Sequence, residues 1–119
     1  MTTILVVDDV PSEKQLISSY LMESGHKVVS ADSAKTALEE IKKQIPDVIV
    51  TDVVMPDMNG FEFCRKVKKD ETTKNIPIVI CSSKNQELDK LWGMKQGADV
   101  YVTKPFTKED LTKAIKSVI

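Results

Sequence analysis

Val48-Ile49-Val50-Thr51-Asp52 is an almost wholly apolar run that ends on a carboxylate. Alternate side chains of a strand point to opposite faces of its sheet, so a run apolar at successive positions wants cover on both sides. Three further runs share this form: Ile4-Leu5-Val6-Val7 leads to Asp8-Asp9, Ile78-Val79-Ile80-Cys81 to Ser82, and Val100-Tyr101-Val102-Thr103 to Lys104. In an open parallel sheet, ligands bind outside the carboxyl ends of the strands. Residues far apart in the chain are thus expected to meet at one edge.

Between these runs the apolar spacing changes to that of helices, the sequence trace of βα units. Strands are predicted near 3–8, 27–31, 47–52, 76–82 and 99–103. Helical spacing joins Leu16, Ile17, Tyr20 and Leu21, then Ala34, Ala37, Leu38 and Ile41, then Phe63, Cys64 and Val67. The last helix has the plainest stripe, Leu111, Ala114, Ile115, Val118 and Ile119, with lysines opposite. Punctuation agrees: Pro11-Ser12 stands near a helix start, Asp32 or Ser33 caps the second helix, Pro46 stops it, and Asn59-Gly60 opens the third. Gly25 and Gly97 close the first and fourth. A doubly wound α/β sheet with helices on both faces is the most economical fold, and 1–119 is read as one domain.

Composition restricts the function. With 17 basic and 18 acidic residues the net charge is -1, which gives no bulk attraction to nucleic acid or anionic lipid. Cys64 and Cys81 lie in apolar stretches without metal-ligand spacing and read as reduced core residues, which favours the cytoplasm. No leader-like segment or membrane-length apolar run is visible.

The strand-end residues carry a chemistry together that none carries alone. Asp8-Asp9 alone reads equally as a helix cap, Asp52 as a turn, Ser82 as a cap and Lys104-Pro105 as a surface turn. Three carboxylates gathered at one edge repel one another unless a cation sits among them. Oxygen ligands without His or Cys favour a hard divalent ion, and Mg²⁺ suits a site that also receives phosphate. Lys104 and Ser82 can then pair with phosphoryl oxygens. Asp8 and Asp9 are read as metal holders, which leaves Asp52 as the nucleophile.

These residues, in this order, resemble the receiver domain of bacterial two-component response regulators of the CheY-like kind. The resemblance spans essentially the whole chain and rests on Val6-Val7-Asp8-Asp9, Asp52 through Gly60, Pro77 through Ser82, Gly97-Ala98-Asp99 and Lys104-Pro105-Phe106. It implies a flavodoxin-like sheet in the order 2-1-3-4-5. It implies that Asp52 accepts a phosphoryl group from a sensor histidine kinase or its phosphotransfer domain, with Mg²⁺ held by Asp9, Asp52 and the Val54 backbone carbonyl and Asp8 acting mainly through water. Ser82 and Tyr101 are by the same resemblance a switch pair, and the Lys104-Pro105 peptide is cis.

The implied role is a signalling switch rather than a turnover enzyme, with no effector domain and an output protein as its second partner. A monomer or weak dimer is expected. The segment Gln86 through Ala98 is similar to the fourth helix of stand-alone regulators in type IV pilus, or twitching-motility, chemotaxis systems. Trp92 there is either packed inward or exposed as an anchor for a partner, together with Tyr101. Ser83, Lys84 and Val54 depart from the commonest receiver pattern, and a phosphoryl lifetime unlike that of fast-resetting chemotaxis regulators is the expectation. An aspartate phosphatase of the haloacid-dehalogenase kind needs a second Asp where Val54 stands. A nucleotide-binding module needs a glycine-rich loop that is missing after the first strand.

Overall fold

A computed structural model describes residues 2–119. Among them five strands and five helices alternate: β1 (Thr3–Val7), α1 (Pro11–Glu23), β2 (Lys27–Ala31), α2 (Ala34–Lys43), β3 (Val48–Thr51), α3 (Gly60–Lys69), β4 (Ile78–Ser82), α4 (Glu87–Lys95), β5 (Val100–Thr103) and α5 (Lys108–Lys116). All strand pairs are parallel, in the order β2-β1-β3-β4-β5. The flavodoxin-like arrangement is the one the apolar runs call for.

Alternation along the strands divides the core in two. Leu5, Val7, Ile49, Ile78 and Ile80 face Ala34, Ala37 and Ile41 of α2 and Phe63, Cys64 and Val67 of α3. Ile4, Val6, Val48, Val50, Val79 and Cys81 face Ile17 and Leu21 of α1 and Leu111, Ala114 and Ile115 of α5. Burying each of the Val, Leu, Ile and Phe side chains among these is worth about 1.5–3 kcal/mol, so β1, β3 and β4, buried along their whole length, anchor the sheet. Both cysteines are free and buried.

Two strands, β1 and β3, end one residue sooner than the predicted spans 3–8 and 47–52. β1 stops at Val7 and β3 at Thr51, which leaves Asp8 and Asp52 just beyond the ladder. Their amides still reach neighbouring strands, Asp8 N to Ala31 O at 3.1 Å and Asp52 N to Val7 O at 3.0 Å. Two residues of the helical stripes are exposed. Ile119 is outside the core because α5 ends at Lys116, and Leu16 lies on the solvent side of α1. Ser33, not Asp32, caps α2, accepting from Thr36 N. Asn59 caps α3, and Gly25 and Gly97 follow α1 and α4 at positive φ.

Candidate functional site

Lys104 is the hub. It follows β5 through a backbone bond from its amide to the Ser82 carbonyl at 2.8 Å, and its peptide bond to Pro105 is cis. Its Nζ donates to Asp8 Oδ2 at 3.0 Å, Glu13 Oε2 at 3.0 Å and Asp52 Oδ2 at 3.2 Å. An ammonium has three protons, and each has a carboxylate. Burial pulls against the charge on Lys104, but the hydrogen bonds to Asp8 and Glu13 and the attraction of Asp52 and Asp8 outweigh it, and its pKa is raised. Asp8 is fully buried, and that desolvation raises its pKa despite the bonds from Val10 N and Lys104.

The two oxygens of Asp52 have different surroundings. Oδ1 accepts the Val53 amide at 2.6 Å, while Oδ2 faces Lys104. The loop behind it is fixed from two sides. Gly60 N donates to Val53 O at 2.7 Å, and Asp57 accepts from Lys35 N at 2.9 Å and Ala34 N at 3.4 Å, at the start of α2. Val54 stands between these anchors with its side chain exposed.

Asp8, Glu13 and Asp52 each offer an oxygen within 4.8 Å of the others. Carboxylates without imidazole or thiolate are the donors a hard divalent cation such as Mg²⁺ takes, and here the same three are paired with the Lys104 ammonium. Asp9, expected as a metal holder, is exposed and stands outside this group, since the chain turns at Asp8, whose Oδ1 takes the Val10 amide at 2.9 Å. Glu13 was not anticipated. Its place in the first turn of α1, the helix that leaves the end of β1, was the available signal, because that helix start faces the sheet edge where Asp8 lies.

Ser82 is fully buried, and its Oγ accepts the Lys84 amide at 3.2 Å. Tyr101 is half-buried, its hydroxyl donating to the Lys84 carbonyl at 2.7 Å. Burial raises the pKa of this phenol, against the lowering effect of Ser82. Expected as a switch pair, the two residues meet at the backbone of Lys84, Ser82 at its amide and Tyr101 at its carbonyl. Trp92 is 49% exposed and joins Leu88, Leu91 and Met94 on the open side of α4. That resolves the two sequence alternatives in favour of exposure.

Comparisons with known proteins agree with this architecture. The response regulator receiver domain family matches residues 4–116. Protein PilH of Pseudomonas aeruginosa is 41% identical over 119 residues, covering 100% of this chain and 98% of that protein. The phosphate regulon transcriptional regulatory protein PhoB of the same species is 36% identical over 98% of this chain, which spans 51% of its length. Among solved structures, Vibrio cholerae chemotaxis protein CheY4 superposes with a TM-score of 0.94 at 35% identity, over 100% of this chain and 99% of that one. The parallel sheet ordered 2-1-3-4-5 and the lysine bonded to strand-end carboxylates both fall within the matched residues: the chain belongs to the response regulator receiver domain family.

Proposed function

We propose that Asp52 is a phospho-acceptor, charged by the phosphohistidine of a sensor histidine kinase or of its phosphotransfer domain. The observation that carries this is the asymmetry of its carboxylate: Val53 N fixes Oδ1, and Oδ2 faces the Lys104 ammonium. In the transfer, the Oδ2–P bond forms as the N–P bond of the donor breaks, and the electron pair returns to the imidazole. Lys104 then pairs with a phosphoryl oxygen within reach of its present position. By the family resemblance Asp52, Asp9 and the Val54 carbonyl would hold a magnesium ion, with Asp8 acting through water, although Asp9 is exposed and lies outside the group of carboxylates gathered here; the ion would neutralise charge gathered on the transferred group.

The product is a covalent mark, not a released substrate, so the protein works as a switch with self-dephosphorylation rather than as a turnover enzyme. A phosphoryl group adds about two negative charges and three acceptor oxygens. Ser82 lies at the end of the neighbouring strand to receive one of those oxygens. Its Oγ already accepts the Lys84 amide, and the Lys84 carbonyl accepts Tyr101. A bond drawn from Ser82 therefore perturbs the segment from Ser82 to Tyr101, including the apolar face of α4 at Leu88, Leu91 and Trp92, which is the surface for an output protein. Likeness to PilH and CheY4 favours a cytoplasmic role in motility or chemotaxis signalling. Among the described residues no helix is long and apolar enough to cross a membrane.

Incubation with Mg²⁺ and acetyl phosphate, followed by intact mass, tests the acceptor. Wild-type protein gains one phosphoryl adduct and Asp52→Asn gains none; an adduct on the variant would refute the assignment.

A further inference from the structure

Glu13 contributes a third negative charge to a site whose expected chemistry uses the aspartates. Its carboxylate is 40% exposed, on the first turn of α1, and takes one of the three Lys104 protons at 3.0 Å. Asp8, which takes another, is fully buried and held a second time by Val10 N. Asp52, which takes the third, is the acceptor itself. A phosphoryl oxygen arriving at Lys104 therefore meets an ammonium whose protons are all engaged. Of the two partners other than the acceptor, Glu13 is the one that solvent can receive without leaving a buried charge unpaired.

Resting on the phospho-acceptor reading, we propose that Glu13 is a positioning residue for Lys104 that also sets the charge balance of the site. Its carboxylate deepens the negative potential that draws a divalent cation, since it lies within 4.8 Å of both aspartate oxygens. The same charge opposes a dianionic phosphoryl donor and competes for Lys104 once the phosphoryl group is in place. Cation affinity and donor use thus respond to Glu13 with opposite sign. A residue that merely supported the fold, or the start of α1 through the helix dipole, would move both in one direction or neither.

The test is Glu13→Gln, which removes the charge and keeps an acceptor oxygen, beside Glu13→Asp, which keeps the charge. Mn²⁺ binding, read from the free-ion paramagnetic resonance signal without any phosphodonor, weakens about three- to tenfold in Glu13→Gln, and Glu13→Asp retains most of the affinity. At saturating Mg²⁺ the KM for acetyl phosphate falls in Glu13→Gln, and the steady-state fraction of phosphorylated protein rises. Unchanged Mn²⁺ affinity, or cation binding and donor use that worsen together, overturns the inference. A wild-type protein that takes no phosphoryl group would instead refute the phospho-acceptor reading, while the Mn²⁺ titration still decides the cation half of this one.

Discussion

Gly93 sits against the ring of Tyr101: a Cβ placed on it would stand 3.0 Å from Cδ2 and 3.2 Å from Cε2 of the phenol, and 3.1 Å from Ile80 Cδ1. Gly93 is also the residue that α4 buries among those described. The helix approaches the sheet through a missing side chain, and Tyr101 fills the space. From the ring the connection runs through the phenol hydroxyl to the Lys84 carbonyl, and from the Lys84 amide to Ser82.

The first prediction is a reversal of sign at that contact. In a helix interior Gly→Ala is worth about 0.5–1 kcal/mol in favour of alanine. With Tyr101 in place, Gly93→Ala gains nothing or destabilises, because the ring must give way. In a Tyr101→Ala background only Ile80 Cδ1, at 3.1 Å, still presses on the new methyl, and the same substitution stabilises by up to that propensity gain. Urea unfolding of the four proteins gives a coupling of at least about 0.5 kcal/mol; additive effects would show that the ring and Gly93 do not press on each other.

A second prediction concerns the anchor of the loop that carries Val54. Asp57 is exposed; desolvation opposes its charge, but amide donors including Lys35, Met58 and Ala34 together outweigh it and hold its pKa below the usual 3.8. A lowered carboxylate stabilises the fold above its unfolded pKa and loses that contribution as pH falls through the folded value. Asp57→Ala should therefore cost about 0.5–1 kcal/mol at pH 7, the low end for a helix cap because of solvent exposure. The gap between variant and wild type should close below pH 3.8. A difference that persists there would assign the effect to packing instead of charge.

The third prediction rests on the two thiols. Burial pushes Cys64 and Cys81 from 9.0 up to about 12. A native thiol of this kind is neutral at pH 8 and inaccessible, so iodoacetamide should label neither cysteine in folded protein, and labelling in urea should track unfolding. Because the folded pKa is raised, the neutral thiols' contribution to stability is intact below pH 9 and is lost as pH rises towards 12. Labelling of native protein at the rate of a free thiol would contradict the burial.

These contacts also show where the sequence is legible and where it is silent. The runs ending at Asp52 and Ser82 announce their strands because both faces are buried, and periodicity then has one solution. Strand ends are less sharp: the Asp52 amide still bonds Val7, so apolar pattern and ladder part company only at the side chain. Trp92 has two readings in sequence because Leu88, Leu91 and Trp92 share one helical face and spacing alone does not say whether that face meets the sheet; α4 turns it outward and buries Gly93. Glu13 meets Lys104 across 91 residues of chain, a pairing set by the right-handed stacking of α1 beside the sheet edge, which local spacing does not encode.

The last prediction returns to the acceptor's backbone. A Cβ on Gly60 would overlap the Asp52 carbonyl oxygen and stand 2.9 Å from both its carbon and Val53 Cα. These are main-chain atoms and cannot rotate aside. Gly60→Ala should cost at least about 2 kcal/mol and shift Asp52 relative to Lys104, lowering phosphoryl uptake from acetyl phosphate as well as the urea midpoint. Gly25→Ala is the control: with φ +91° and open space around it, it carries a backbone strain of about 1–2 kcal/mol far from the acceptor. It should lower stability with phosphoryl uptake unchanged at temperatures where the protein remains folded. Equal uptake by the two variants would mean that Asp52 tolerates displacement of its own peptide, against the close fit of α3 under the acceptor.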